Sequence, residues 1–87
     1  MQRARHAERA AITLQSDAHR VWCEQFHLPQ STDVAALDDV VVLRTGIAPG
    51  RVMEVLMRPV RAPDALLRLG NDIASLRHDI ALEGANQ

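Results

Sequence analysis

ALDDVVVLRTGIAPGRVMEVLMR, residues 36 to 58, reads as two short helices joined by a tight turn. Asp38 to Arg44 repeats apolar residues at helical spacing. Gly46 stands where a helix ends in the left-handed conformation that a residue without Cβ adopts cheaply, and Pro49 suits the first turn of the next helix. Val52, Val55 and Leu56 then give that second helix one apolar stripe.

The run from Val42 through Gly46 and Ile47 to Val52 and Val55 resembles the helix-turn-helix of bacterial and phage transcriptional regulators. In that family a glycine in the turn is followed directly by a branched apolar residue and, five later, by another. The resemblance covers residues 36–58, about a quarter of the chain. It departs from the family at Val42, where a small residue is usual, and at Thr45, where a larger apolar one is. It implies a small DNA-binding transcriptional regulator acting as a homodimer.

Side-chain chemistry gives that implication a test. A reading helix must present groups to base edges while its apolar stripe stays in the core, which leaves Pro49, Gly50, Arg51, Met53, Glu54, Met57 and Arg58 facing outward. Arg51 can read guanine, and Arg44, Arg58 and Arg61 can bind phosphates. Pro49 and Gly50 offer no base contact, and Glu54 is repelled by the nucleic-acid backbone. Met53 and Met57, with Glu54 between them, suit an adaptable contact with another protein, because methionine fits irregular apolar surfaces. The alternative expectation is therefore a non-catalytic protein-binding module, such as an antiactivator or inhibitor of a larger regulatory protein.

The whole chain has 87 residues, enough for a single helical domain, and a domain of that size buries only about 60 to 65% of the surface its unfolded chain exposes. With 47% hydrophobic but only 2% aromatic residues, its core must be built from Ala, Val, Leu and Ile around Trp22 and Phe26, which favours interlocked helices over a sheet. The formal net charge is −1, without the basic excess of a typical nucleic-acid binder. Along the chain, however, Arg44, Arg51, Arg58 and Arg61 face only Glu54, while Asp64, Asp72, Asp79 and Glu83 outnumber Arg68 and Arg77 further on. All ten basic residues are arginine, which with the abundant alanine fits a GC-rich bacterial genome. A single cysteine excludes an intramolecular disulfide, no run is long and apolar enough for a membrane span, and MQRARHAERAA lacks the apolar core of a secretory signal. The expected location is cytoplasmic.

Residues 3 to 27 contain no Gly or Pro and repeat Ala4, Ala7, Ala11, Leu14, Ala18 and Val21 at steps of three and four, with Ile12, Trp22 and Phe26 broadening the stripe. Pro29 ends this helix. Thr32 is the expected N-cap of the next, with Asp33 in its first turn. MRPVRAP, holding Pro59 and Pro63, is a stiff connector. The last helix carries the seam Leu66, Leu69, Ile73, Leu76 and Ile80, flanked by Leu67, Ala74 and Ala81. That seam is wider than a neighbouring helix of alanines can cover, so it is the expected homodimer interface, with Asp72 and Arg77 on its flanks. Within the chain, the helix-turn-helix unit is the other candidate to cover it. Gly70-Asn71 interrupts the seam chemically without shifting its phase, and one continuous helix is expected there.

His19, Cys23 and His27 stand four apart on the first helix and are all metal-binding residue types. Four residues span about 6 Å of helix, so the outer pair, about 12 Å apart, cannot share one ion. The expectation is no metal, with Cys23 a small buried hydrophobe and the histidines half exposed. There is no phosphate-binding glycine loop, credibly spaced carboxylate pair or nucleophile elbow, and Asp38-Asp39 reads as a pair complementing a helix dipole. No enzymatic activity, cofactor or small-molecule substrate is expected. The fold expected is an all-α bundle of four helices, near 3 to 27, 33 to 45, 49 to 58 and 63 to 83, or five if Gly70 breaks the last. The first residues and those from Gly84 onward are expected to be disordered.

Overall fold

The computed structural model describes the backbone of residues 2–85 and the side-chain surroundings of residues 5–82. Four helices follow in order: α1 (Gln2–Gln25), α2 (Val34–Thr45), α3 (Arg51–Met57) and α4 (Pro63–Ala85). No strand occurs among the described residues. α1 and α4 pack along each other, and α2 and α3 form a second, tighter pair wedged against both. The two long helices set the largest dimension of the molecule, 46 Å against 24 and 17 Å in the other directions.

One core runs through all four. α1 contributes Ala7, Ala11, Ala18, Trp22 and Cys23, with Phe26 just past its end, and Trp22 is the largest side chain in the core at 1% exposure. Opposite them stand Leu69, Ile73, Leu76 and Ile80 of α4, so small residues on one helix face large ones on the other and the two axes approach closely. Leu37 and Val41 of α2, and Val52, Val55 and Leu56 of α3, close the remaining side. The α4 seam is therefore the interior of this chain: Leu69, Ile73, Leu76 and Ile80 are each 6% exposed or less, and Leu66 is half buried against the same core. This corrects the expectation of a dimer interface there. The thin line of alanines on α1 leaves the seam uncovered only on paper, because α2 and α3 supply the missing apolar mass.

Helix ends show where local reading succeeds and fails. α1 stops at Gln25 through a reciprocal pair of bonds, Leu28 N–H to Cys23 O at 2.7 Å and His27 N–H to Glu24 O at 3.2 Å. These place His27 in the left-handed region at φ 58°, where glycine is usual. α2 is capped by Asp33, not Thr32: its Oδ1 accepts the Ala36 N–H at 2.7 Å. Gly46 ends α2 at φ 76° and donates its N–H to Val42 O at 2.9 Å. α4 is continuous through Gly70-Asn71 and reaches Ala85, so Gly84 is helical; Asn86, Gln87 and Met1 lie outside the described residues.

The α1 stripe also differs from expectation. Leu14 and Ile12 face outward at 38% and 62% exposure, while Gln15 occupies the line between Ala11 and Ala18. Steps of four and three from Ala7 through Ala11, Gln15, Ala18 and Trp22 keep one face of the helix, and the polar residue on that line has a partner.

Candidate functional site

α3 is the element around which the site is built, and at seven residues it is too short to be stable alone. Neighbouring helices hold both its ends. At its start Pro49 and Gly50 form a turn, with Gly50 at φ 90°, a conformation open to glycine and strained for other residues. Gly50 carries no side chain to cap the helix, and the cap comes from α2: Asp38 accepts N–H groups from Gly50 at 3.0 Å, Val52 at 3.1 Å and Met53 at 3.2 Å. Asp38 is 5% exposed, and its charge lies against the positive end of the α3 dipole. Dipole complementation was the expected role for Asp38; the helix it serves is α3, not its own.

At the other end of α3, the Gln15 amide donates from α1 to Val55 O at 3.0 Å and Arg58 O at 2.8 Å, satisfying carbonyls the short helix cannot. The turn itself is closed by Thr45, whose hydroxyl donates to Val41 O at 2.6 Å and accepts the Ile47 N–H at 3.3 Å. That buried hydroxyl both donates and accepts a hydrogen bond, which accounts for a polar residue at this buried position. Val42, Gly46, Ile47, Val52 and Val55 thus form a tight helix–turn–helix pair, with Ile47, Val52 and Val55 buried.

With its ends fixed, α3 shows two faces. Towards α4, a cleft of about 480 Å³ is bordered by Arg51 and Arg58. Arg51 pairs with Asp79 at 3.0 Å, and Arg58 pairs with Asp72 at 2.7 Å while its Nε donates to Glu54 at 2.7 Å. Hydrogen bonding to Glu54, then to Asp72, holds the Arg58 guanidinium above its ordinary pKa, and the same contact with Arg58 holds Glu54 below its own. The charge asymmetry read along the sequence is thereby offset in part, since Asp79 and Asp72 of α4 lie against Arg51 and Arg58. Of the four arginines expected at DNA, only Arg44, in the last turn of α2, and Arg61, in the connector, are exposed without an ion pair among the described residues. Glu54, expected at a protein contact, is likewise engaged by Arg58.

The other face carries Met53 and Met57, 37% and 65% exposed. They border a depression of about 460 Å³ with Val34 and Ala35 at the start of α2 and His19 of α1. The polar groups there are occupied internally: His19 Nε2 lies 2.6 Å from Thr32 O, and Asp33 caps α2. A surface of this kind gains little from water and suits apolar contact.

Cys23 is fully buried, its sulfur 3.6 Å from His19 Nε2, and burial pushes the thiol pKa up, away from the reactive thiolate. His27 is exposed at the helix end. No group of three or more His, Cys, Asp or Glu side chains gathers at metal-binding spacing among the described residues, and none of the described helices is long and apolar enough to cross a membrane. No family model, curated protein or solved structure matches the chain.

Proposed function

We propose that this chain is a non-catalytic protein-binding module, of the antiactivator or inhibitor kind, that engages a larger protein in the cytoplasm through the Met53 and Met57 face of α3. The observation that carries the reading is the contrast between the two faces of α3. On one, Arg51 and Arg58 are neutralised by α4; on the other, two methionines stand exposed beside an almost wholly apolar depression. Methionine is flexible and polarizable, so it adapts to a partner's surface at low cost. A photo-crosslinking residue placed at Met57 is expected to give one discrete protein adduct in cells, whereas the same residue at Leu67, equally exposed on α4, gives none. Adducts of equal yield from both positions remove the Met face as the contact.

A DNA-binding regulator is the second reading, supported by the α2–turn–α3 arrangement and by Arg44 and Arg61. It requires Arg51 to leave Asp79 for a base edge and Arg58 to leave two carboxylates for a phosphate, both against α4's negative charge. A gel shift with genomic DNA from around its own gene at two salt concentrations separates the readings, because phosphate contacts give an affinity that falls steeply with salt. A homodimer under either reading uses a surface other than the α4 seam.

A further inference from the structure

Along its rim α3 is tied to α4 by charge. Arg51 and Arg58 stand seven residues apart on α3, and Asp72 and Asp79 seven apart on α4, about two turns in each case. They pair in opposite order, Arg51 with Asp79 at 3.0 Å and Arg58 with Asp72 at 2.7 Å, as two antiparallel helices in matched register require. Glu54 steadies the second rung from within α3: it accepts from Arg58 Nε at 2.7 Å and leaves Nη1 to Asp72. Between the rungs the two helices stand apart over a cleft of about 480 Å³, whose buried wall is Val55 and Leu76. The ladder therefore spans open space and not packed side chains.

The other ties of α3 differ in kind. Val52, Val55 and Leu56 are buried in the shared core, Asp38 caps the start of the helix, and Gln15 caps its end. Seven residues do not hold a helix alone, so these ties and the ladder are what keep α3 folded. On both sides the chain is non-helical, with Gly46 and Gly50 at φ 76° and 90° before α3 and residues 58–62 after it.

We propose that residues 46–62 leave the bundle as one unit before the whole chain unfolds, and that the Arg51–Asp79 and Arg58–Asp72 rungs make this opening depend on ionic strength. Such opening is independent of what the Met face binds, but it removes that face: Met53 and Met57 leave with α3, while Val34 and Ala35 stay on α2. Salt acts on the rungs more than on the other ties. Arg51 and Asp79 are 42% and 38% exposed, and Arg58 and Asp72 23% and 50%. The screening length around such groups falls from about 30 Å at 0.01 M salt to about 3 Å at 1 M. Asp38 is 5% exposed, so its bonds to α3 are screened much less. One exposed pair contributes little, but both rungs act on one short helix, and weakening them together multiplies its opening constant about threefold to tenfold.

Native-state amide exchange of the full chain, followed by NMR in about 0.01 M and about 1 M sodium chloride, reads this opening. The reporters are the Val52 and Met53 N–H groups bonded to Asp38, and the Glu54 N–H bonded to Gly50 O at 2.8 Å. Leu69 and Ile73, buried in the middle of α4, are the reference. The reporters are expected to open at least about tenfold more often than the reference, and to open about threefold to tenfold more often at the higher salt while the reference stays within about twofold. Asp72→Asn with Asp79→Asn is expected to raise the low-salt opening to the wild-type high-salt value and to abolish the response. Arg20→Gln, which removes ion pairs confined to α1, leaves the reporters unchanged. A second variant guards against poor folding of the first: Arg51→Asp with Asp79→Arg rebuilds one rung in reverse and is expected to restore the protection that Asp79→Arg alone loses. Reporters that exchange together with Leu69 and Ile73, that ignore salt or slow with it, or that keep their response in the neutral variant overturn the proposal. So does a reversed pair no better protected than Asp79→Arg.

Discussion

Asp38 Oδ1, in the first half of α2, accepts the main-chain N–H of Val52 at 3.1 Å across 14 positions of sequence, and with Gly50 and Met53 that contact makes α2 the N-terminal cap of α3. Local cap residues act on their own helix; here the cap is tertiary, so α3 exists only when it is docked. Asp38→Ala strips three donors of their acceptor and is expected to cost about 2 to 4 kcal/mol, with faster amide exchange at Val52 and Met53 than in the rest of the bundle. Uniform acceleration across all four helices, or no loss of stability, would show that α3 does not depend on Asp38.

His27 and Gly46 make an opposed pair. Both hold left-handed backbone, His27 at φ 58° with a Cβ and Gly46 at φ 76° without one. His27→Gly relieves that strain and is expected to raise the thermal midpoint by several degrees, about 1 kcal/mol. Gly46→Ala meets no atom within 4 Å, so its expected loss of about 1 kcal/mol is conformational alone. Midpoints moving in the same direction for both would contradict the backbone account.

Ile73 decides what the α4 seam is for. At 6% exposure inside the chain's own core, Ile73→Asp is expected to lose at least about 3 kcal/mol and to unfold or melt far below wild type. Sedimentation of a folded 9.6 kDa monomer, paired with a dimeric wild type, would instead return the seam to the interface.

Glu54 gives its pair with Arg58 at the end of α3 a pH dependence. Its folded pKa is lowered by hydrogen bonding to Arg58, so the stability it contributes is present above the ordinary value of about 4.3 and is lost as pH falls through the lowered one. The group is largely exposed and the effect is small. The gap in urea midpoint between wild type and Glu54→Gln should narrow from about pH 6 to about pH 3; a gap that stays constant would show that the pair contributes nothing.

Much of the fold is legible in the residues themselves. Periodicity places four helices, Pro29 and Gly46 mark their breaks, and Trp22 and Val52 fall inside as their spacing implies, whereas Ile73 lies in the chain's own core and not at the expected interface. What was illegible is tertiary. Nothing local to His27 announces a left-handed cap, so the spacing carries α1 two residues past its end at Gln25. Pro49 marks a helix start in sequence, but α3 begins at Arg51 because its cap lies on another helix. The spacing puts Leu14 on the packed face where the structure has Gln15, since a polar residue there makes sense only once the α3 carbonyls stand beside it. The arginines misled for a similar reason: sequence shows the surplus along α3, and only folding brings Asp72 and Asp79 against it.

If the Met53 and Met57 face is the working surface, a single binding comparison shows it. Wild type and the Met53→Glu/Met57→Glu double variant are titrated against the protein that the Met57 crosslinker captures. Genomic duplex from around its own gene is titrated alongside at two salt concentrations. The variant, folded as judged by circular dichroism, is expected to lose about 30-fold or more in affinity for the protein, and neither form is expected to give a sequence-specific DNA shift. Unchanged protein affinity in the double variant, or a salt-sensitive specific DNA complex abolished by Arg44→Ala with Arg61→Ala, would contradict it.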